Sequence, residues 1–84
     1  MHYVYILQSK QDNSYYTGVT ADLRERLAEH NNGHAVYSSS KRPFTLVWYC
    51  AFQEKSKAHI FERYLKSGSG IAFRNKHLTH NVAS

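Results

Sequence analysis

Two short segments of β-forming residues flank a polar stretch near the start of the chain. Residues 3–7 read YVYIL and residues 15–19 read YYTGV, with polar residues 9–14 between them. Aromatic and β-branched side chains favour strands, and a short polar connection between two strands favours a hairpin. The sequence therefore predicts two paired antiparallel strands.

Strand alternation assigns the tyrosines of these segments to faces of the predicted sheet. Tyr3 and Tyr5 fall on one face of the first strand, and Tyr16 and Gly18 fall together on one face of the second. With a suitable register, Tyr5 and Tyr16 share a face, and Gly18 leaves room beside them for a ligand or another backbone. Taken singly, each tyrosine is also explained as a β-former with a solvated hydroxyl.

Helix and strand signals continue beyond the hairpin. Thr20 is expected to cap a helix over residues 21–31 that ends at Asn32 and Gly33. A polar loop is expected over residues 34–43. An apolar run with almost no polar alternation then predicts a buried strand over residues 44–52, at the centre of the sheet.

The last part of the chain predicts two further helices. Ser56 is expected to cap a helix over residues 57–66, which the Ser-Gly-Ser-Gly of residues 67–70 ends, and a shorter helix is expected over residues 71–79. The expected architecture is α+β, a small three-stranded antiparallel sheet flanked by helices. It forms one domain over residues 1–80, followed by a frayed tail over residues 81–84.

Composition limits the kinds of site that the chain can carry. With 84 residues and 42% hydrophobic content, it can fill one small core, so a site is expected in a surface groove. Cys50 is the only cysteine, which excludes an internal disulfide and a multi-cysteine zinc site, and it is expected to pack as a small apolar residue. His30 and His34 lack a third soft ligand. No membrane span is expected, and the chain reads as soluble and cytoplasmic.

Positive charge is concentrated in the second half of the chain. Residues 1–40 carry three Lys or Arg against four Asp or Glu, whereas residues 41–84 carry eight against two. Such an excess suits a polyanionic partner such as a phosphate backbone, and it is equally typical of a basic soluble surface. The predicted nucleic-acid contacts are Lys41, Arg42, Arg63, Lys66, Arg74 and Lys76.

The predicted first helix turns Arg26 and His30 toward the sheet edge. At 100° per residue, Leu23 and Leu27 define the buried side, and Arg26 and His30 lie next to it, one turn apart. Glu29 falls on the opposite side. The two readings are a paired functional site and an arginine with a solvated head beside a histidine that binds a backbone carbonyl.

Glu62 occupies the flank of the apolar face of the next helix. A carboxylate there either binds a metal or pairs with a cation such as Lys66, four residues later. Hard divalent cations prefer oxygen ligands, and nucleases commonly hold them through one or two carboxylates. The sequence alone leaves both interpretations open.

Together these residues resemble a known family. The motifs Tyr3-Val4-Tyr5 and Tyr16-Thr17-Gly18, followed by Arg26, His30 and Glu62, resemble the GIY-YIG nucleases over residues 3–78. The chain is most similar to small stand-alone members related to the amino-terminal domain of the excinuclease C subunit. Tyr3 replaces the glycine of the family name and Thr17 replaces its isoleucine, and both residues are compatible with strands.

The resemblance implies roles for individual residues in a single site. Glu62 would bind one Mg²⁺ or Mn²⁺ ion, and Arg26 would neutralise charge on the phosphate. Tyr5 would activate or position the attacking water, with Tyr16 and His30 orienting it or carrying the proton. Tyrosine ordinarily has a pKa of about 10 and histidine of about 6.5, so Tyr5 and His30 both remain candidates for the general base.

The resemblance also implies a late polar residue and an activity. Asn75 stands where an asparagine would support the site. The implied function is metal-dependent hydrolysis of DNA phosphodiester bonds by an endonuclease related to DNA repair enzymes, acting on structured, damaged or single-stranded DNA. The alternatives are a non-catalytic nucleic-acid binding module with the same fold and, more distantly, a protein-interaction domain. The joint presence of the site residues favours the enzyme.

Overall fold

The computed structural model describes residues 1–33 and 39–79, and it confirms the α+β fold. The strands are β1 (His2–Ser9), β2 (Tyr15–Thr20) and β3 (Phe44–Phe52), all antiparallel, in the order β2-β1-β3. The prediction that residues 44–52 form the centre of the sheet is wrong, because β1 is bonded on both sides and β3 lies at an edge.

The apolar sequence of β3 has two separate causes. Trp48, Cys50 and Phe52 pack against the core, which confirms the packed role of Cys50. On the other face, Val47 is 38% exposed and Tyr49 is 53% exposed. The predicted full burial of this strand is therefore wrong, because an apolar run does not reveal that one face of an edge strand is left open.

The predicted hairpin forms with a defined register. Tyr5 lies opposite Gly18 and Leu7 lies opposite Tyr16, so Tyr5 and Tyr16 share a face as predicted. In the connecting turn, Asn13 adopts a φ of 63°, a left-handed conformation that asparagine tolerates. This register brings the two motif tyrosines onto the same surface.

The first helix, α1 (Leu23–Asn31), starts later than predicted. Its N-cap is Asp22, whose carboxylate accepts a hydrogen bond from the Glu25 backbone N–H at 3.1 Å. Thr20 is therefore not the cap; its hydroxyl instead accepts from the Asp22 backbone N–H at 3.1 Å and shapes the approach to the helix. The predicted end is confirmed by Asn32 at the C-cap and by Gly33, with a φ of 79°.

Between Lys55 and Thr79, the structure describes two more α-helices and a helical turn. Helix α2 is Lys55–Lys66, α3 is Gly68–Phe73, and a wider π-type turn follows at Arg74–Leu78. Glu54, not Ser56, is the N-cap of α2 and makes no side-chain capping bond. Residues 67–70 end α2 as predicted, but they also begin α3, because the Ser67 hydroxyl caps it by accepting from the Gly70 N–H at 3.1 Å.

The helices cover opposite faces of the sheet. Leu23 and Leu27 of α1 pack on the face that carries Tyr5 and Leu7. On the other face, the buried residues of α2 pack on β1, in a cluster formed by Val4, Ile6, Ala58 and Leu65. The side chains of α1 and α2 therefore approach β2 and β1 from opposite sides.

Some predicted segments are only partly covered by the described residues. Of the predicted polar loop, residues 34–38 lie outside them, and Ser39–Lys41 form a single 3₁₀ turn. The predicted tail over residues 81–84 also lies outside. None of the helices in the described part of the chain is both long and apolar enough to traverse a lipid bilayer.

Candidate active site

The Tyr5 hydroxyl is the centre of a hydrogen-bonded cluster between β1 and α1. Its oxygen lies 3.3 Å from His30 Nε2 and accepts a hydrogen bond from Arg26 Nε at 3.2 Å. Arg26 and His30 are one helical turn apart, so a single face of α1 presents both side chains to the same hydroxyl. The structure therefore confirms that Arg26 and His30 turn toward the sheet.

Aromatic packing adds Tyr16 to this cluster. The Tyr16 ring lies edge-on to the His30 ring, with 4.6 Å between centroids, and 6.4 Å from the Tyr5 ring. Phe44 packs against His30 from the other side, with centroids 5.6 Å apart. The predicted residues Tyr5, Tyr16, Arg26 and His30 are thus brought together.

Two members of the cluster are buried, and the other two are partly exposed. Tyr5 is 1% exposed and His30 has no exposed surface, whereas the Arg26 side chain is 36% exposed and Tyr16 is partly exposed. A substrate would meet Arg26 and Tyr16 first. Because the Tyr5 hydroxyl is buried and bonded to Arg26, a water molecule can contact it only after the side chains around it move, with Arg26 among them.

Glu29 also belongs to the cluster, although the sequence reasoning placed it on the opposite side of the helix. Its carboxylate accepts a hydrogen bond from Arg26 NH1 at 3.0 Å. The signal was present in the spacing, since residues three apart on a helix are neighbours. Arg26 is consequently held by Glu29 on one side and by Tyr5 on the other.

Burial and charge fix the protonation of Tyr5 and His30. Burial raises the pKa of Tyr5, although the hydrogen bond from Arg26 opposes the shift. Burial, followed by the positive charge of Arg26, lowers the pKa of His30. Near neutrality Tyr5 is therefore a phenol and His30 a neutral imidazole, so the hydroxyl can donate to His30 Nε2 while its oxygen accepts from Arg26.

The glycine of the second motif is required by the Tyr5 hydroxyl. A Cβ at position 18 would lie 2.4 Å from the Tyr5 oxygen and 2.7 Å from its ring carbon Cζ. The room that Gly18 leaves is therefore filled by Tyr5 and not by a ligand. This contact links Gly18 of the second motif to Tyr5 of the first.

Gly18→Ala is expected to destabilise the fold by about 1–3 kcal/mol, the usual cost of forcing an extra methyl group into a packed site. Displacement of the hydroxyl would also break its bonds to Arg26 and His30. Gly68→Ala is the matched control, because a Cβ there meets nothing within 4 Å. Urea unfolding of both variants measures the effect, and equal stability of the two would contradict the fit between Gly18 and Tyr5.

His30 is expected to make the folded state less stable as the pH falls. Because its pKa is lowered in the folded chain, the unfolded chain binds more protons once the pH drops below about 6.5, the ordinary value. Its contribution is thus fully present above that pH and is lost below it. Urea unfolding between pH 5 and 8 should show a steeper loss for the wild type than for His30→Gln, and parallel curves would refute this assignment.

Glu62 lies on α2, away from the four clustered residues. Its side chain is 14% exposed; one carboxylate oxygen pairs with Lys66, and the other lies 4.0 Å from His59 Nδ1. The pairing with Lys66 that the sequence left open is therefore present. Since α1 and α2 pack on opposite faces of the sheet, the structure brings Tyr5, Tyr16, Arg26 and His30 together and leaves Glu62 outside that cluster.

A groove at the β2 edge lies between these two parts of the candidate site. Its volume is about 240 Å³, and its lining includes Tyr16 from the cluster and Lys66, the partner of Glu62. Arg74 also lines the groove, with its guanidinium 4.7 Å from the centre of the Tyr15 ring. A phosphate in this groove would meet Lys66 and Arg74 together with the Tyr16 side of the cluster.

Asn75 and the predicted cations other than Lys66 and Arg74 do not line this groove. Asn75 is exposed and accepts hydrogen bonds from Arg74 at 3.0 and 3.2 Å, so it supports a groove residue and not the Tyr5 cluster. Arg63 and Lys76 are exposed. Lys41 pairs with Asp12 at 3.3 Å, and the guanidinium of Arg42 lies against Gly33.

The donor set around Glu62 fits a metal that shares its ligands with a substrate. Within residues 1–33 and 39–79, no three His, Cys, Asp or Glu side chains are gathered as a protein-only cage. Mg²⁺ does not need one, since one or two carboxylates commonly suffice when waters and substrate phosphates fill the other positions. Glu62 offers one such carboxylate, and its partner Lys66 lines the cationic groove.

Comparison with known proteins identifies the family. Residues 1–75 match the sequence profile of the GIY-YIG catalytic domain. A UPF0213 protein of Staphylococcus haemolyticus is 45% identical over 69 residues, which cover 81% of this chain and 83% of that protein. A UPF0213 protein of Clostridium perfringens is 45% identical over 67 residues, covering 79% of this chain and 71% of that one.

A solved structure agrees with the sequence comparisons. The solution NMR structure of a UPF0213 protein from Bacillus halodurans has a TM-score of 0.58 and 35% identity, and the match covers 94% of this chain and 86% of that one. The GIY-YIG catalytic domain is typically that of a nuclease. Sequence profile, relatives and fold agree with the motif residues that meet around the Tyr5 hydroxyl, and this chain therefore belongs to the GIY-YIG family.

Proposed function

We propose that this chain is a metal-dependent endonuclease that hydrolyses phosphodiester bonds of DNA. The observation that carries the proposal is the contact of Arg26 and His30 with one tyrosine hydroxyl. The arrangement joins a partly exposed guanidinium and a buried imidazole through one hydroxyl, as phosphate binding and proton transfer at one site require. The neighbouring groove, with Lys66 and Arg74, provides positive charge for the DNA backbone.

Arg26 is the residue that contacts the scissile phosphate. Its guanidinium is partly exposed and already oriented by Tyr5 and Glu29. A planar guanidinium matches phosphate oxygens, and its value increases as negative charge develops in the transition state. When Arg26 turns to the phosphate, it uncovers the Tyr5 hydroxyl.

The uncovered Tyr5 relays a proton to His30. A water molecule gives one proton to the Tyr5 oxygen as the Tyr5 hydroxyl proton passes to His30 Nε2, and the water oxygen forms the new bond to phosphorus. The bond from phosphorus to the leaving oxygen breaks, and that oxygen keeps the electron pair and takes a proton from solvent. Because Tyr5 gains and loses a proton together, its raised pKa is no obstacle, and the neutral His30 is the final acceptor.

Glu62 is the residue that would hold Mg²⁺ or Mn²⁺, with waters and phosphate oxygens as the other ligands. Such an ion, when bound, supplies Lewis-acid neutralisation of charge on the phosphate. Tyr16 lies at the boundary between the groove and the Tyr5 cluster, where it orients the phosphate and the attacking water.

The decisive experiment is incubation of the purified chain with branched, nicked, single-stranded and duplex DNA, with Mg²⁺, Mn²⁺ or EDTA. We expect cleavage of at least one substrate that depends on metal and stops with EDTA. A protein carrying both Arg26→Ala and Glu62→Ala, purified in the same way, detects contaminating nuclease. Binding without cleavage of any substrate would overturn the proposal.

One contact favours a second candidate, a nucleic-acid binding module without turnover. Glu62 is already paired with Lys66, which leaves that carboxylate neutralised in the absence of metal. A binding module would keep this pair and would bind DNA equally well with EDTA or Mg²⁺. A comparison of DNA binding in EDTA and in Mg²⁺ therefore separates the two candidates.

A further inference from the structure

We propose that Lys66 competes with the divalent metal for the Glu62 carboxylate and transfers to a substrate phosphate when the metal binds. Metal and nucleic acid would then strengthen each other's binding. This inference rests on the proposed metal site at Glu62. It assigns to Lys66 a positioning role that links the two ligands.

Glu62 already has a cationic partner on its own helix. The Lys66 ammonium is paired with one oxygen of Glu62, four residues earlier on the same face of α2. The Glu62 side chain is only 14% exposed, whereas that of Lys66 is 54% exposed. The carboxylate is thus fixed near the core, and the lysine is the partner that can leave.

Lys66 and a divalent metal cannot both occupy the Glu62 carboxylate without strong repulsion. A divalent cation bound at Glu62 would face the positive charge of Lys66 within a few ångströms, a repulsion that only solvent screening reduces. With no three-ligand cage around Glu62 in the described residues, the metal has few other protein ligands to offset it. Metal binding therefore requires Lys66 to move.

The neighbouring groove offers Lys66 a new partner. Lys66 lines the groove with Tyr16 and Arg74, where the DNA backbone would lie. Arg74 is held by the Tyr15 ring and by Asn75. Lys66 has a flexible stem and three donors on its ammonium, so it can exchange a carboxylate for a phosphate without any backbone movement.

Reciprocal coupling follows from this exchange. DNA that takes Lys66 away leaves Glu62 free for the metal, and a metal at Glu62 frees Lys66 for DNA. By linkage, each ligand must increase the affinity of the other by the same factor. The site would therefore bind metal weakly until substrate is present.

The test compares Lys66→Gln with Lys57→Gln, which removes the same charge from the same helix at a lysine paired with Glu54. Mn²⁺ binding is titrated without nucleic acid, by electron paramagnetic resonance. We expect Lys66→Gln to bind Mn²⁺ about two- to fivefold tighter than wild type, as the loss of a partly exposed ion pair allows. Lys57→Gln should match wild type, Lys66→Arg should retain the competition, and Glu62→Gln should lose the site.

A second arm measures the coupling in an Arg26→Ala background, where the DNA should stay intact. A single-stranded oligonucleotide at saturating concentration should tighten Mn²⁺ binding more in the protein that keeps Lys66 than in the Lys66→Gln protein. Circular dichroism establishes that each variant is folded.

The outcomes separate the inference from the proposed function. If Glu62→Gln loses Mn²⁺ but Lys66→Gln binds no tighter than wild type, the metal site stands and the competition is refuted. If Lys57→Gln binds as tightly as Lys66→Gln, general charge is the cause and the inference also fails. If Glu62→Gln binds Mn²⁺ like wild type, or if neither binds it, the metal site at Glu62 fails together with the inference.

Discussion

Arg26→Ala is expected to lower the single-turnover rate of DNA cleavage by about two to three orders of magnitude. Removal of one well-placed donor to a developing oxyanion typically costs about 3–4 kcal/mol of transition-state stabilisation. Arg26 meets the condition of being well placed, because Glu29 and Tyr5 hold its guanidinium from two sides. Added Mg²⁺ or Mn²⁺ should not restore the rate, since a metal cannot replace a missing hydrogen-bond fork.

Arg24→Ala is the matched control for this loss, because Arg24 lies on the same helix, is exposed and carries the same charge. Its cleavage rate should remain close to that of wild type. Arg26→Lys should recover only part of the rate, since lysine keeps the charge but not the planar fork. Equal rates for folded Arg24→Ala and Arg26→Ala would mean that Arg26 is a surface residue.

The α1 half of the candidate site could be predicted from sequence because its information is local. The short hairpin determines which tyrosines share a face, and helical spacing determines that Arg26 and His30 point the same way. Only the packing of α1 on β1 had to be added. The pairing of Arg26 with Glu29 was equally local, and it was missed because the helix was divided too sharply into two sides.

The α2 half could not be predicted in the same way. Helical spacing puts Glu62 beside an apolar face, but it does not say which face of the sheet that helix covers. The choice between Lys66 and a metal as its partner is a competition of free energies, which no spacing reveals. Thr20 and Ser56 were predicted as caps in place of Asp22 and Glu54, because several polar residues near a helix start are of types that can cap it.

The predicted central position of β3 was wrong for a related reason. Its apolar run arises from packing against α2 on one face and from exposed side chains such as Tyr49 on the other. The sequence pattern shows which residues are apolar, but it does not show whether another element covers that face of the strand. Strand order depends on long-range pairing with β1, which only the folded sheet supplies.

The burial of Tyr5 was also invisible in the sequence, and it changes the expected chemistry. A motif tyrosine was expected to activate or position a water molecule, whereas the Tyr5 hydroxyl is buried and bonded to Arg26. In the same way, Glu62 is occupied by Lys66. Both charged residues on which cleavage would depend are therefore paired within the protein, so substrate and metal must displace an existing partner before reaction.

Glu62→Ala is expected to reduce cleavage below detection at metal concentrations that saturate the wild type, while DNA affinity is unchanged or slightly higher. The substitution removes the proposed metal ligand, and it also removes a negative charge and frees Lys66 for the DNA backbone. The cleavage rate and the DNA affinity, measured by fluorescence anisotropy, should therefore separate. A higher Mn²⁺ concentration should recover part of the rate, unlike in Arg26→Ala.

Glu54→Ala is the control for Glu62→Ala, because it removes the same charge at the start of the same helix, where Glu54 pairs with the exposed Lys57. Ala58 and Leu65 are buried on the neighbouring face of α2, so a substitution at Glu62 could disturb the core. Both variants must therefore first show a cooperative urea-unfolding transition. If a folded Glu62→Ala protein cleaves as fast as Glu54→Ala, Glu62 is not the metal ligand. A parallel loss of affinity and rate would instead assign Glu62 a structural role, because a metal ligand governs the reaction more than the binding.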